Sequence, residues 1–151
     1  MSAARGSGPV VFAYDGSELA KRAIDEAGRL LDAGGEALVV TVWQPFDVGF
    51  LPAAGIQFDA AQIADVRAAA AQTAAAGAAL ANTAGFRAES AEIEQSPTWK
   101  GIAELADAHD ARLIVLGSHG RSGLAGVLVG SVASAVAAHS RRSVLIVHRD
   151  S

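Results

Sequence analysis

The sequence predicts an α/β fold with an open, doubly wound parallel sheet and helices on both faces. Three observations lead there. Short apolar runs without polar alternation recur along the chain, as expected for strands covered on both faces. Segments with helical periodicity separate these runs, giving the order βαβαβαβαβ, and that alternation implies right-handed crossovers. The exits of the first and fourth strands carry glycine, serine and aspartate, where open parallel sheets place their ligands.

The elements follow in chain order. Pro9–Tyr14 is a short apolar run bounded by Gly8 and by Asp15-Gly16-Ser17, and it reads as the first strand. Ser17 is placed to cap the next helix, in which Leu19, Ala23, Ile24, Ala27, Leu30 and Leu31 recur at helical spacing until Gly34-Gly35 ends it. Ala37–Trp43 is the second buried strand. Residues 44–58 form the one long connection, with Pro45, Pro52, Gly49 and Gly55 interleaved with Phe46, Phe50, Leu51 and Ile56. A connection of this length reads either as partial cover over a pocket mouth or as a flexible insertion. An alanine-rich helix is expected from about Asp59 to Ala84, stopped by Gly85. Arg87–Glu94 alternates weakly and reads as an edge strand. Ser96-Pro97 has the form of a capping serine before a helix, whose buried stripe is Trp99, Ile102, Leu105 and Ala106. Arg112–Leu116 is the fourth strand, a helix is expected over Ser131–His139, and Ser143–Val147 is the fifth strand, with Val144 and Ile146 on one face and Leu145 and Val147 on the other. The expected organisation is a flexible stretch over residues 1–8 and one domain over 9–149.

Bulk properties exclude several function classes. The 151 residues suffice for one domain with a real core, and 51% hydrophobic with 19% charged residues fits a soluble globular chain. A net charge of −4 argues against non-specific nucleic-acid binding. The absence of cysteine excludes disulfides, zinc–thiolate sites and thiol catalysis. The N-terminus lacks the apolar core of a signal peptide, and the alanine-rich tract carries Asp65, Arg67, Gln72 and Asn82, so no membrane span is expected and a cytoplasmic location is.

The chemistry concentrates after the fourth strand. Gly117, Gly120, Gly130 and Ser131 are spaced G-x2-G-x9-G-S, between a strand and a helix start. Glycines let the backbone approach a ligand, and helix-start N–H groups with a serine beside them suit phosphate oxygens. Ser131 is expected to be the helix N-cap whether or not it also meets a phosphate. Asp15 either opens a turn or faces a ligand; near phosphates it would need Mg²⁺ between the charges. Arg121 either stabilises phosphate charge or is solvated. His109, His119, His139 and His148 are scattered, show no metal-ligand spacing, and read as solvated or structural.

These residues resemble the universal stress protein family. Four segments carry the resemblance: Tyr14-Asp15-Gly16-Ser17; Val40-Thr41-Val42; Ala111 through Arg121; and Val129-Gly130-Ser131-Val132 followed by Ser143–Val147. Together they span the chain from about Pro9 to His148. The resemblance implies a Rossmann-like fold of the adenine nucleotide alpha hydrolase type, with strand order 3-2-1-4-5 and the first and fourth strands adjacent. In that family the glycine spacing marks members that bind ATP. The resemblance therefore implies that Gly117, Gly120, Gly130 and Ser131 line the triphosphate and that Val132 adds a backbone N–H. It places Asp15 near the ribose and a nucleotide-bound Mg²⁺, and sets the Val42 backbone against the adenine. Tyr14, Gly16, Ser17, Leu116, Ser118 and Arg121 complete the surroundings. It further implies a homodimer through residues 143–148. Trp43 departs from the family by its bulk, which puts the adenine rim in question, and nothing carries over onto residues 44–58.

No known catalytic motif is present. The chain has no G-x4-G-K-S/T, no G-x-G-x-x-G after the first strand and no G-x-S-x-G, and no residue stands out to activate water against a γ-phosphate. The expected function is an ATP-binding stress regulator, not an enzyme, whose nucleotide occupancy is read by a dimer surface or an unidentified protein partner. The alternatives are a slow ATP hydrolase and a dimerisation module holding another adenine nucleotide such as cyclic AMP.

Overall fold

The computed structural model describes residues 7–45, 59–119 and 129–149. The elements are β1 (Val10–Ala13), α1 (Glu18–Leu30), β2 (Glu36–Trp43), α2 (Ala60–Thr83), β3 (Arg87–Glu94), α3 (Thr98–Ala108), β4 (Leu113–Gly117), α4 (Ser131–His139) and β5 (Val144–Val147). All strand pairs are parallel and the order is β3-β2-β1-β4-β5, so β1 and β4 are neighbours at the centre.

Strand alternation divides the core into two layers. Val10, Phe12, Tyr14, Val39 and Val115 face α1 and α2, where Phe12 and Phe86 meet edge to face with centroids 5.3 Å apart. Val11, Leu38, Val40, Ile114 and Leu116 face α3 and α4. The expected split of β5 holds: Leu145 and Val147 join the first layer, Val144 and Ile146 the second.

Helix ends are set by local chemistry. Ser17 caps α1 by accepting from the Ala20 N–H at 3.2 Å. α2 opens with a reciprocal capping box: Asp59 Oδ1 accepts from the Gln62 N–H at 2.8 Å, and Gln62 Oε1 accepts from the Asp59 N–H at 3.0 Å. α2 ends where Gly85 takes the left-handed conformation, φ 109°. The buried face of α2 includes Ala70, Ala74, Gly77, Ala78 and Ala81, small residues that let it lie close to the sheet.

Three helix-end expectations need correction. α1 stops at Leu30, before Gly34-Gly35; Leu31 closes it by donating to the Ala27 carbonyl, and Gly34 serves the following turn with φ 88°. Ser96 does not cap α3: the cap position is Pro97, which offers no side-chain acceptor, and the Ser96–Pro97 bond is cis. Ser131 is not the cap of α4 but its first helical residue. Gly130 holds the cap position in an extended conformation, φ −70° and ψ 169°, with its N–H bound to the Ser118 carbonyl.

At the end of the sheet where the strands begin, Arg142 ties the end of α3 to the turn before β4. Its Nε donates to Asp107 at 2.9 Å and its Nη1 to Asp110 at 2.8 Å. Asp110, with φ 51°, also accepts from the Ser7 N–H, while the Gly8 N–H bonds the Asp110 carbonyl at 2.9 Å.

Candidate functional site

Parallel strands bring the exits of β1 and β4 together, and the backbone there is turned toward a crevice. Val40 gives its carbonyl to the Tyr14 N–H at 2.9 Å, and Trp43 gives its carbonyl to the Gln95 N–H at 3.1 Å. Alternation therefore points the Val42 N–H and C=O toward β1, beyond the last β1 residue. That donor–acceptor pair has no partner among the described residues. The Tyr14 carbonyl beside it is taken by Thr41 Oγ1 at 2.9 Å.

The turn after β1 is held by its own polar groups. Asp15 Oδ1 accepts the Ser17 N–H at 3.0 Å, and Gly16 takes φ 81°, a conformation that costs other residues strain. Asp15 and Ser17 are half-buried and Gly16 is exposed. The Tyr14 ring does not join this turn. It is 4% exposed and lies in the core over Gly77, so its neighbours are α2 and Val39. Burial pushes the Tyr14 phenol above its ordinary value; Lys21 opposes this, and the Asp15 and Glu18 carboxylates add to it.

After β4, Gly117 and Gly130 provide room, not unusual dihedral angles. A Cβ on Gly117 would come 2.9 Å from Leu19 Cγ, so this glycine lets α1 sit against the strand exit. A Cβ on Gly130 would come 2.9 Å from the Ser118 carbonyl oxygen, to which the Gly130 N–H is bonded at 2.6 Å. That bond clasps the start of α4 to the end of β4. Ser118 is 1% exposed; its N–H goes to the Val147 carbonyl at 2.8 Å and its hydroxyl meets His119 Nδ1 at 3.1 Å. Leu116 is buried in the α3/α4 layer.

α4 begins without a side-chain cap. Its first intrahelical bond is Ser134 N–H to Gly130 C=O at 2.9 Å, leaving the N–H groups of Ser131, Val132 and Ala133 without partners among the described residues. Ser131 and Val132 are exposed there. The structure thus brings Asp15, Gly16, Ser17, the Val42 backbone, Gly117, Ser118, Gly130, Ser131 and Val132 to one end of the sheet. Gly120, Arg121 and most of the 44–58 connection lie outside the described residues.

Some residues near the crevice were not foreseen. Trp43 Nε1 donates to Glu92 Oε2, and Glu92 Oε1 accepts from Arg67 Nε at 2.9 Å, so the indole is turned onto α2 beside Val66 and Ala70. Its bulk therefore faces the helix. Gln44 is 8% exposed and spends its amide on the Gln95 carbonyl and on Thr98 Oγ1 at 3.1 Å. It borders an open pocket of about 280 Å³ with Pro45, Glu94, Gln95 and Ser96, beyond the ends of β2 and β3. The described residues contain no group of three or more His, Cys, Asp or Glu able to hold a metal ion, and no described helix is long and apolar enough to cross a membrane.

Comparison with known proteins agrees with this fold. The sequence profile described as "Universal stress protein family" matches residues 7–148. A universal stress protein of Mycobacterium bovis is 34% identical over 154 residues, covering 95% of this chain and 46% of its own length. The chain thus spans about half the length of that relative. A shorter universal stress protein of Mycobacterium tuberculosis is 28% identical over 139 residues, covering 92% of this chain and 94% of its own. Among solved structures, a universal stress protein in complex with cAMP is 29% identical, with a TM-score of 0.68 over 95% of this chain and 98% of its own. A protein solved as a test case of structural genomics, 21% identical, has a TM-score of 0.78 over 95% of this chain and 96% of its own, a likeness of fold. With its profile match, strand order and relatives in agreement, the chain belongs to the universal stress protein family.

Proposed function

We propose that the chain binds an adenine nucleotide, ATP with its Mg²⁺, at the crevice over β1 and β4, and serves as a regulator whose occupancy is read by a dimer surface or a protein partner. The observation that carries this reading is the uncapped start of α4, clasped to β4 by the 2.6 Å bond from the Gly130 N–H to the Ser118 carbonyl. Partnerless N–H groups at a helix start suit phosphate oxygens by both hydrogen bonding and dipole. The Val42 N–H and C=O supply the donor–acceptor pair that an adenine edge requires. Asp15, at the turn after β1, would hold the Mg²⁺ brought in with the nucleotide, and that ion would offset phosphate charge beside the carboxylate. On this reading the site holds the nucleotide, in keeping with a chain that carries no G-x4-G-K-S/T lysine to work on its phosphates.

Calorimetry with ATP tests the reading. A Cβ at Gly130 meets a backbone oxygen at 2.9 Å, and one at Gly117 meets Leu19, so Gly117→Val combined with Gly130→Val should abolish ATP binding. Unchanged binding would remove the phosphate site. Phosphate release above a protein-free blank, lost in Asp15→Ala, would favour a slow hydrolase. A second ligand is favoured by the 29% identical structure solved with cAMP, so cyclic AMP belongs in the same titration.

A further inference from the structure

The β1–β2 ladder stops short of the length its geometry allows. In this parallel pair Ala13 stands against Val40, and the Tyr14 N–H donates to the Val40 carbonyl at 2.9 Å. The same ladder would next run from the Val42 N–H to the Tyr14 carbonyl, and then from the Gly16 N–H to the Val42 carbonyl. Neither bond is present among the described residues. The Tyr14 carbonyl accepts from Thr41 Oγ1 at 2.9 Å instead.

The surroundings hold this exchange in place. Thr41 alternates with Val39 and Trp43, so its side chain lies on the α1/α2 face of the sheet. A carbonyl aimed at a hydroxyl on that face is turned out of the plane in which ladder bonds run. Thr41 is 8% exposed, and its hydroxyl has no other acceptor among the described residues, so releasing the carbonyl would leave a buried donor unpaired. The Tyr14 ring, wedged over Gly77, fixes the residue that carries the carbonyl. Beyond it the chain leaves the sheet at Gly16, φ 81°, which takes the Gly16 N–H away from the Val42 carbonyl. We propose that Thr41 is a positioning residue of the crevice: by capturing the Tyr14 carbonyl it keeps the Val42 N–H and C=O unpaired, open to a nucleobase edge that carries an acceptor beside a donor. Adenine presents that pair as N1 and its 6-amino group, and hypoxanthine presents the reverse. Thr41 thereby sets base selectivity without touching the base. The nucleobase rests on the nucleotide binding proposed above; the interrupted ladder does not.

Through-hydrogen-bond NMR couplings and calorimetry on the whole protein test this. Wild type should show no coupling between the Val42 nitrogen and the Tyr14 carbonyl carbon. In Thr41→Val, which keeps the shape and removes the hydroxyl, that coupling should appear as the ladder closes. The same variant should bind ATP about ten-fold more weakly, lose most of the preference for ATP over inosine triphosphate, and bind inorganic triphosphate as wild type does. Thr41→Ser, which keeps the hydroxyl, should restore both the open ladder and the preference. Thr41→Ala gives the same comparison if Thr41→Val does not fold. A coupling in wild type, or none in the variant without the hydroxyl, overturns the inference. Equal ATP affinity in wild type and that variant also overturns it, and leaves the nucleotide site standing. If wild type binds ATP no more tightly than inorganic triphosphate, the nucleotide reading fails and the couplings alone decide: a ladder closed only where the hydroxyl is missing upholds the role of Thr41, and any other pattern overturns it.

Discussion

Gly77→Ala sets two effects of known size against each other. Gly77 lies inside α2, where alanine is favoured by about 0.8–1 kcal/mol on helix propensity alone. The added Cβ would come 2.6 Å from Tyr14 Cδ2 and 2.7 Å from Val39 Cγ1, against 3.4–4 Å for ordinary contact. Neither neighbour can easily withdraw, because Tyr14 is 4% exposed and Val39 is fully buried. Either α2 lifts from the sheet or the Tyr14 ring leaves its well, and overpacking of this kind costs about 1–3 kcal/mol, here toward the upper end. The net expectation is a loss of about 1–2 kcal/mol, or a fall in Tm of about 2–8 °C for a domain of this size. Urea denaturation reads it as a lower midpoint at unchanged slope. In a Tyr14→Ala background the penalty should shrink, with a coupling of at least about 1 kcal/mol. A Gly77→Ala protein as stable as wild type, or more so, would refute the close approach of α2 to Tyr14.

Tyr14 is the chain's single tyrosine, so absorbance at alkaline pH follows it alone; its midpoint should lie above 10.0, and a midpoint at or below that value would contradict its placement in the core. Because its folded-state value is raised, the associated stability is present below pH 10.0 and is lost as pH rises through the folded-state value. Asp110 is held below its ordinary 3.8 by the Arg142 guanidinium, then by the Ser7 N–H, so its contribution is present above that value and is lost on acidification through the folded-state value. Asp110→Asn, which tolerates the left-handed φ of 51°, should therefore melt below wild type at neutral pH and converge with it in acid; parallel curves throughout would refute the clamp. Among the described strands β5 pairs only with β4, and its side chains Val144, Leu145 and Ile146 are half-covered, so we expect a homodimer there. Ile146→Lys should halve the mass in light scattering with the circular dichroism unchanged, and an unaltered mass would count against that interface.

Sequence reasoning reached the sheet because each layer is written in the strands themselves. The unalternating runs Val10–Ala13 and Leu113–Leu116 announce burial on both faces, and the β3 run Arg87–Glu94 announces an edge by its charge. The candidate site was legible at the level of residue type and spacing. What escaped was the reason for each residue. Gly130 is needed for room against the Ser118 carbonyl, which only the folded clasp reveals, and that clasp also moves the cap from Ser131 to Gly130. Tyr14 sits next to Asp15 in the chain, yet alternation sends its ring to the opposite layer. The bulk of Trp43 pointed to the adenine rim until its bond to Glu92, from a strand distant in sequence, turned it onto α2. Such long-range partners leave no local signature. The Ser118-His119 pair did have one, adjacent polar residues inside the glycine motif, but only the contact between Ser118 Oγ and His119 Nδ1 distinguishes an engaged imidazole from a solvated one.

The clamp of Arg142, Asp110 and Ser7 has a practical consequence for handling the protein. In a parallel sheet every strand starts at one end, so a tag or fused protein placed before Ser7 emerges at the end opposite the crevice. One placed after β5 emerges beside Val147, whose carbonyl holds the Ser118 N–H. Immobilisation for ligand capture should therefore be made through the leading end, which leaves the crevice toward solution.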